Sequence, residues 1–296
     1  MSEATESETE TEFNAVLYEK PSERIARIVL NRPDKANAQN LQMLYDLNSA
    51  LDKACADEDV RVIIIAAAGK HFSSGHGDIG AEGDYKLSEV AISTSRDFAK
   101  AGQEGQWAFE EELFFGLCWR WRNIPKPTIA EVQGKVIAGG LMLVWPFDLV
   151  VASEEATFQD PVVAFGVNGV EYFGHPWEFG VRKAKEMLFT GRAISAKTAK
   201  EVGMVNRVVP RERLSEETME LAREIAEQPI MGLKTAKESV NQMQNDQGLF
   251  SSLRSAMIMQ QFAHAQNRIV NDNGMPVDAY GVTGVRALIK KPPLEQ

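Results

Sequence analysis

Residues 61–79 read RVIIIAAAGKHFSSGHGDI. The run Val60–Ala68 is apolar and rich in β-branched side chains, Arg61 excepted. Such a run suits a strand buried on both faces, as in the interior of a parallel sheet. It leads straight into Gly69–Gly80, a loop rich in glycine, serine and histidine. The pattern recurs downstream. Thr128–Val132 predicts a second short strand followed by Gly134, Gly139 and Gly140, and Asp148–Ala152 predicts a third interior strand. Leu141–Trp145 reads as a buried helical turn. Ligands of open α/β sheets bind beyond the carboxyl ends of the strands. The loops near Gly75 and Gly139 are therefore the candidate site, unless they are merely tight connections. Two backbone N–H groups converging there meet the requirement for holding an oxyanion. Glycine permits a close approach of backbone to ligand, and a helix opening at Gly139-Gly140 would favour negative charge at its start.

Upstream, Val16–Tyr18 and Arg24–Leu30 read as strands with a turn at Lys20-Pro21-Ser22. Leu41, Leu44, Leu47, Leu51 and Cys55 share one helix face beginning after Asn40. Glu82–Gly105 resists assignment, and Trp107–Arg122 reads as a helix ending before Pro125. Past Pro176 the character turns helical, with Lys183–Phe189, Ser195–Glu201, Leu214–Glu227, Gly232–Met243 and Leu249–Val270 as helices and Val205–Val209 as a small strand. The chain thus divides into a disordered acidic leader over 1–14, an α/β core over 15–210 and a helical C-terminal region over 211–296.

The chain has 296 residues, 32 basic and 42 acidic, for a net charge of −10. That balance argues against sequence-independent binding to nucleic acid, which needs clustered Lys and Arg. Glu3, Glu6, Glu8, Glu10 and Glu12 in the leader supply half of it. No stretch is long and apolar enough for a membrane span, and no secretory leader precedes the core. Cys55 and Cys118 lie in helical patterns without metal-ligand partners, as reduced thiols of a cytoplasmic protein do. No metal site is expected: His71, His76 and Asp78 could meet in a loop, but no fourth ligand is evident.

Gly75-His76-Gly77-Asp78-Ile79-Gly80 also fits the dinucleotide pattern G-x-G-x-x-G. The first glycine comes too late after the strand, and Asp78 would repel a pyrophosphate. A Ser-His-Asp hydrolase drawing on Ser73, Ser74, His76 and Asp78 lacks the nucleophile elbow.

Four segments in order, IVLNRPDKANAQN, RVIIIAAAGKHFSSGHGDI, IAEVQGKVIAGG and LFTGRAISAKTAKEVGMVNRVVP, resemble the enoyl-CoA hydratase/isomerase (crotonase) superfamily. The resemblance covers roughly Val16 to Val270. It implies a crotonase-like ββα spiral core with a C-terminal helical trimerisation region, assembling as a homotrimer or homohexamer. It implies an acyl-CoA thioester as ligand, with coenzyme A part of the substrate and no separate cofactor. It places the two enolate-holding N–H groups on His76 and Gly139, with Gly77 competing for the first. The His76 side chain is then expected to point away. Lys35, Ala36 and Ala38 match the segment lining the nucleotide, with Lys35 near a phosphate. Ser74, Gly77, Asp78 and Ile79 match the thioester and pantetheine end. Gly80–Phe115 is expected to shape the acyl pocket.

The resemblance also exposes a departure. Hydratases of the superfamily carry glutamates at the positions of Met142 and Val162, and neither of these side chains transfers a proton. Glu171, among Val170, Tyr172, Phe173 and Trp177, is the replacement acid/base of first choice, because apolar neighbours raise a carboxyl's pKa. Asp160 is second, though Asp-Pro equally suits a turn. His175 is expected at a helix entry. The function implied is hydration or isomerisation of an unsaturated acyl-CoA. The rivals are acyl-CoA binding without chemistry, or other enolate chemistry such as C–C cleavage or dehalogenation.

Overall fold

The computed structural model describes residues 13–77, 85–94, 96–272, 274, 276 and 284–295. Strands β1 (Val16–Ser22), β2 (Ile25–Leu30), β3 (Val62–Ala67), β4 (Thr128–Val132), β6 (Leu149–Ser153) and β9 (Arg207–Val209) form a six-stranded sheet in the order β1-β2-β3-β4-β6-β9. β1 and β2 are antiparallel, and every later pairing is parallel. β5 (Lys135–Ile137), β7 (Thr157–Gln159) and β8 (Ile194–Ser195) form a second, three-stranded sheet.

The interior position of β3 explains its composition. Ile63 and Ile65 pack toward Leu44, Leu47 and Leu51 of α1 (Leu41–Ala56). Val62 and Ile64 pack on the other face, with Met219 and Ala222 of a later helix. Asn40 caps α1 by accepting the Met43 N–H at 3.0 Å, which is why the helical pattern starts there.

α2 (Leu87–Val90) is a single turn, and α3 (Gly102–Glu110) passes through a π-helical stretch, Glu111–Gly116, into α4 (Leu117–Arg122). The remaining helices are α5 (His175–Thr190), α6 (Ala196–Glu201), α7 (Leu214–Ala226), α8 (Ile230–Asp246), α9 (Leu249–Val270) and α10 (Val285–Leu288). Met219 and Ala222 belong to α7, which covers one face of the large sheet.

Several expectations need correction. The first hairpin turns at Glu23-Arg24, not at Lys20-Pro21-Ser22, and Pro21 lies inside β1 where the register shifts between Glu19 and Ser22. β1 is an edge strand, where a residue lacking an N–H is tolerated. The helical turn expected at Leu141–Trp145 begins earlier, as a 3₁₀ turn over Ala138–Leu143. α5 begins at His175 rather than Lys183, with non-helical geometry at Phe179 and Gly180. The second sheet was not anticipated, because strands of two or three residues carry too little periodicity. The acidic leader lies outside the described residues up to Glu12; the N–H groups of its last residue, Asn14, and of Ala15 donate to Asp46.

Candidate active site

Three segments that follow parallel strands are stitched together by main-chain bonds. Gln39 N–H donates to Gly75 O at 2.8 Å, and Gly77 N–H donates to Gln39 O at 2.8 Å. His76 lies between these bonds in a parallel bridge to Gln39. In such a bridge the flanking residues carry the bonds, and the central residue's own N–H faces the other way. Gly77 is thereby removed as a donor. Ser73 bridges to Val136 in the same way, through Ser73 N–H to Lys135 O and Ile137 N–H to Ser73 O. The second glycine loop is thus locked against the first. A Cβ on Gly75 would lie 3.1 Å from the Gly139 nitrogen. Ala138, at φ 48°, turns the chain from β5 into the 3₁₀ segment. No acceptor is recorded among the described residues for the N–H of His76 or of Gly139.

Sequence reading missed Gln39. It is buried, and its Nε2 donates to Gly139 O at 2.7 Å, tying the loop after β2 to the turn after β5. Only a three-dimensional view pairs residues 100 positions apart.

A cavity of about 500 Å³ opens beside these loops, with Ser74, His76, Gly139, Val162 and Glu171 in its wall. The expectation that the His76 side chain points away is wrong. Its ring stacks on Phe114 at 4.0 Å and 9°, and its Nε2 lies 3.7 Å from Glu171 Oε2. The room comes from Gly139, where a Cβ would sit 2.2 Å from the His76 ring. Although 31% of its side chain is exposed, the surrounding protein disfavours the imidazolium and pushes its pKa down to about 4.

Glu171 is 5% exposed, and burial, seconded by Glu110, holds its carboxyl well above the usual range. Its Oε2 has no hydrogen-bond partner among the described residues. Glu110, a cavity residue that sequence reading did not single out, is itself raised by burial. Met142 is packed in the core, with Cys118 Sγ donating to its carbonyl at 3.3 Å.

Asp160 has a structural part. It accepts Val162 N–H at 3.1 Å, Val170 N–H at 3.0 Å, and faces His175 Nε2 at 2.7 Å, with both side chains fully buried. It therefore closes the loop that carries Glu171, and His175 opens α5. Asp160→Ala is expected to destabilise the fold by about 3–5 kcal/mol, because it strands a buried imidazole and two N–H groups. Denaturant unfolding measures it, and a cost under about 1 kcal/mol would show that the loop holds without Asp160.

Of the expected coenzyme A residues, Ala36 accepts Ser74 N–H at 2.9 Å, so the two segments do meet. Ala38 lies against Gly77, where a Cβ would approach Ala38 Cβ at 2.8 Å. Lys35 is exposed on a 3₁₀ turn at the edge of this group. Asp78 and Ile79 lie outside the described residues. Ser73 Oγ donates to Asn37 O at 2.8 Å, and His71 Nδ1 accepts Lys135 N–H at 3.2 Å, so both serve the loops. Among the described residues, no group of three His, Cys, Asp or Glu side chains is placed to hold a metal, and no helix is long and apolar enough to cross a membrane.

The family model described as enoyl-CoA hydratase/isomerase matches residues 20–277. EchA13 of Mycobacterium tuberculosis, which carries a provisional enoyl-CoA hydratase name, is 42% identical over 271 residues, 89% of this chain and 85% of that protein. Two solved structures described as probable enoyl-CoA hydratases, from Mycobacterium thermoresistibile and Mycobacterium smegmatis, are 45% and 44% identical. Their TM-scores are 0.78 and 0.79, covering 87% and 89% of this chain and 99% of each of theirs. The mixed α/β core with its helical C-terminal region is therefore the crotonase fold, and the chain belongs to the enoyl-CoA hydratase/isomerase family.

Proposed function

We propose that this protein hydrates or isomerises an unsaturated acyl-CoA through a thioester enolate, with Glu171 carrying the proton. The observation that carries the reading is the buried Glu171 carboxyl, whose Oε2 has no hydrogen-bond partner among the described residues, in the same cavity wall as the His76 and Gly139 turns. The N–H groups of His76 and Gly139 hold the thioester oxygen as it gains negative charge. The His76 ring stays neutral and contributes no charge of its own.

In isomerisation, Glu171 takes a proton from the α-carbon, the electron pair moves into the carbonyl, and the proton returns at the γ-carbon. In hydration, water adds through oxygen to the β-carbon while Glu171 gives its proton to the α-carbon and regains one from the water. Both cycles regenerate the carboxyl. Burial that raises its proton affinity suits it to the exchange. Residues 35–38 and 74–77 flank the coenzyme A end in this reading, with Lys35 toward a phosphate.

The test is exchange of α-protons with deuterium oxide, alongside turnover of crotonyl-CoA and of 3-enoyl-CoAs. Exchange and turnover are expected. Tight binding with neither would establish the rival, a protein that binds acyl-CoA without chemistry.

The assembly proposed is a homotrimer or homohexamer in the cytoplasm. Met231, Val240 and Met243 on α8 and Ile258, Phe262 and Ile269 on α9 are exposed, apolar side chains that contact between copies would cover. Light scattering is expected to give three or six times 32.8 kDa, and a monomer would refute this.

A further inference from the structure

The cavity wall mixes apolar side chains, Phe114, Val162 and Phe165 among them, with polar groups that a hydrocarbon tail would not use. α3 supplies Glu110, and α9 supplies Gln260 and His264. Glu110 and Gln260 are 6% and 3% exposed. Glu110 is braced, accepting Gln106 Nε2 at 2.7 Å and a second bond from Gln261, with His264 Nε2 3.5 Å away. Gln260 is held on one side only, its side chain hydrogen-bonded to Glu171; among the described residues its Oε1 has no partner, and neither has Glu171 Oε2.

Buried polar atoms left unpaired are costly, so native proteins supply a partner or the ligand does. A hydrocarbon chain supplies none. An amide oxygen only accepts, so the occupant must donate. An ionised carboxylate tail donates nothing and would meet two glutamates, Glu110 and Glu171. A hydroxyl meets both demands, donating to Gln260 Oε1 while its own oxygen accepts from His264 or from the Glu171 acid.

We propose that the acyl group of the substrate carries a hydroxyl beyond the reacting carbons, and that Gln260, backed by His264 and Glu110, selects it over a plain hydrocarbon chain. This rests on the acyl-CoA reading of the site and names the substrate class within it.

The test compares kcat/KM for trans-2-octenoyl-CoA with that for the same chain bearing one hydroxyl at successive carbons beyond the double bond. At least one hydroxylated form is expected to be favoured by about tenfold or more, the scale of one buried polar group paired or unpaired. Gln260→Met keeps the side chain's length and removes the acceptor. It is expected to lower kcat/KM for the favoured hydroxylated form and to raise it for the plain chain. Thermal melting and acyl-CoA binding check that the variant is folded. Equal or better use of the plain chain by the wild type would overturn the proposal. So would an equal loss on both substrates in Gln260→Met, which would assign Gln260 to positioning Glu171 instead. Failure to bind or turn over any acyl-CoA would sink the reading of the site itself, and the proposal with it.

Discussion

Glu171→Gln is expected to lower turnover of an unsaturated acyl-CoA by about 10²–10⁴-fold, the contribution of a positioned proton-transfer group. Binding of the acyl-CoA should change little, because the amide keeps the shape of the carboxyl and the main-chain donors are untouched. The α-proton exchange should fall with turnover. A wild-type rate would remove Glu171 from the mechanism. Stability gives an independent reading of opposite sign. Burial holds the folded Glu171 carboxyl well above its ordinary 4.5. Between that value and the raised one, the folded state binds a proton that the unfolded state has released. Stability therefore falls as pH rises through this window. Glutamine does not ionise, so Glu171→Gln should unfold at a higher temperature than wild type at mildly alkaline pH. The advantage should fade as the pH is brought down to about 4.5. A variant slower and less stable at every pH would instead mark Glu171 as a packing residue.

What was legible in the sequence and what was not divide along the range of the interactions. β3 announced itself because burial on both faces leaves an uninterrupted apolar run, and α1 because Asn40 and the leucine spacing are local signals. The two glycine loops were legible as loops. Their conjunction was not, since it depends on Gln39 bonding to both Gly75 and Gly139 across the chain. The doubt between His76 and Gly77 could not be resolved by counting residues in a loop. A single main-chain bond from Gly77 to Gln39 occupies the Gly77 N–H and so favours His76. The direction of the His76 ring is not legible locally, because the space it fills is the missing side chain of Gly139, a cause 63 residues away. Glu110 and Gln260 read in sequence as ordinary polar positions of helices. Each becomes a cavity residue only when α3 and α9 meet.

Gly139→Ala is expected to cost about 10²–10³-fold in kcat/KM, the scale of one lost oxyanion donor. Nothing in the backbone forbids the change, as Gly139 is not among the residues with positive φ. The conflict is with side chains. The new Cβ would stand 2.2 Å from His76 Cδ2, 2.5 Å from Nε2 and 3.2 Å from Gln39 Oε1. The imidazole must leave its stack on Phe114 or the 3₁₀ turn must shift, and either movement displaces an N–H from the thioester oxygen. His76→Ala separates the two. It removes the ring and keeps the main-chain N–H, so its cost should stay near tenfold or below, about 1.4 kcal/mol. If crowding by the ring is the cause, the double variant His76→Ala with Gly139→Ala should recover most of what Gly139→Ala alone loses. That non-additivity is what a double-mutant cycle reads for groups in contact. Simple addition of the two losses would mean the ring is not the obstacle. A His76→Ala loss as large as that of Gly139→Ala would move the function from the main chain of His76 to its imidazole.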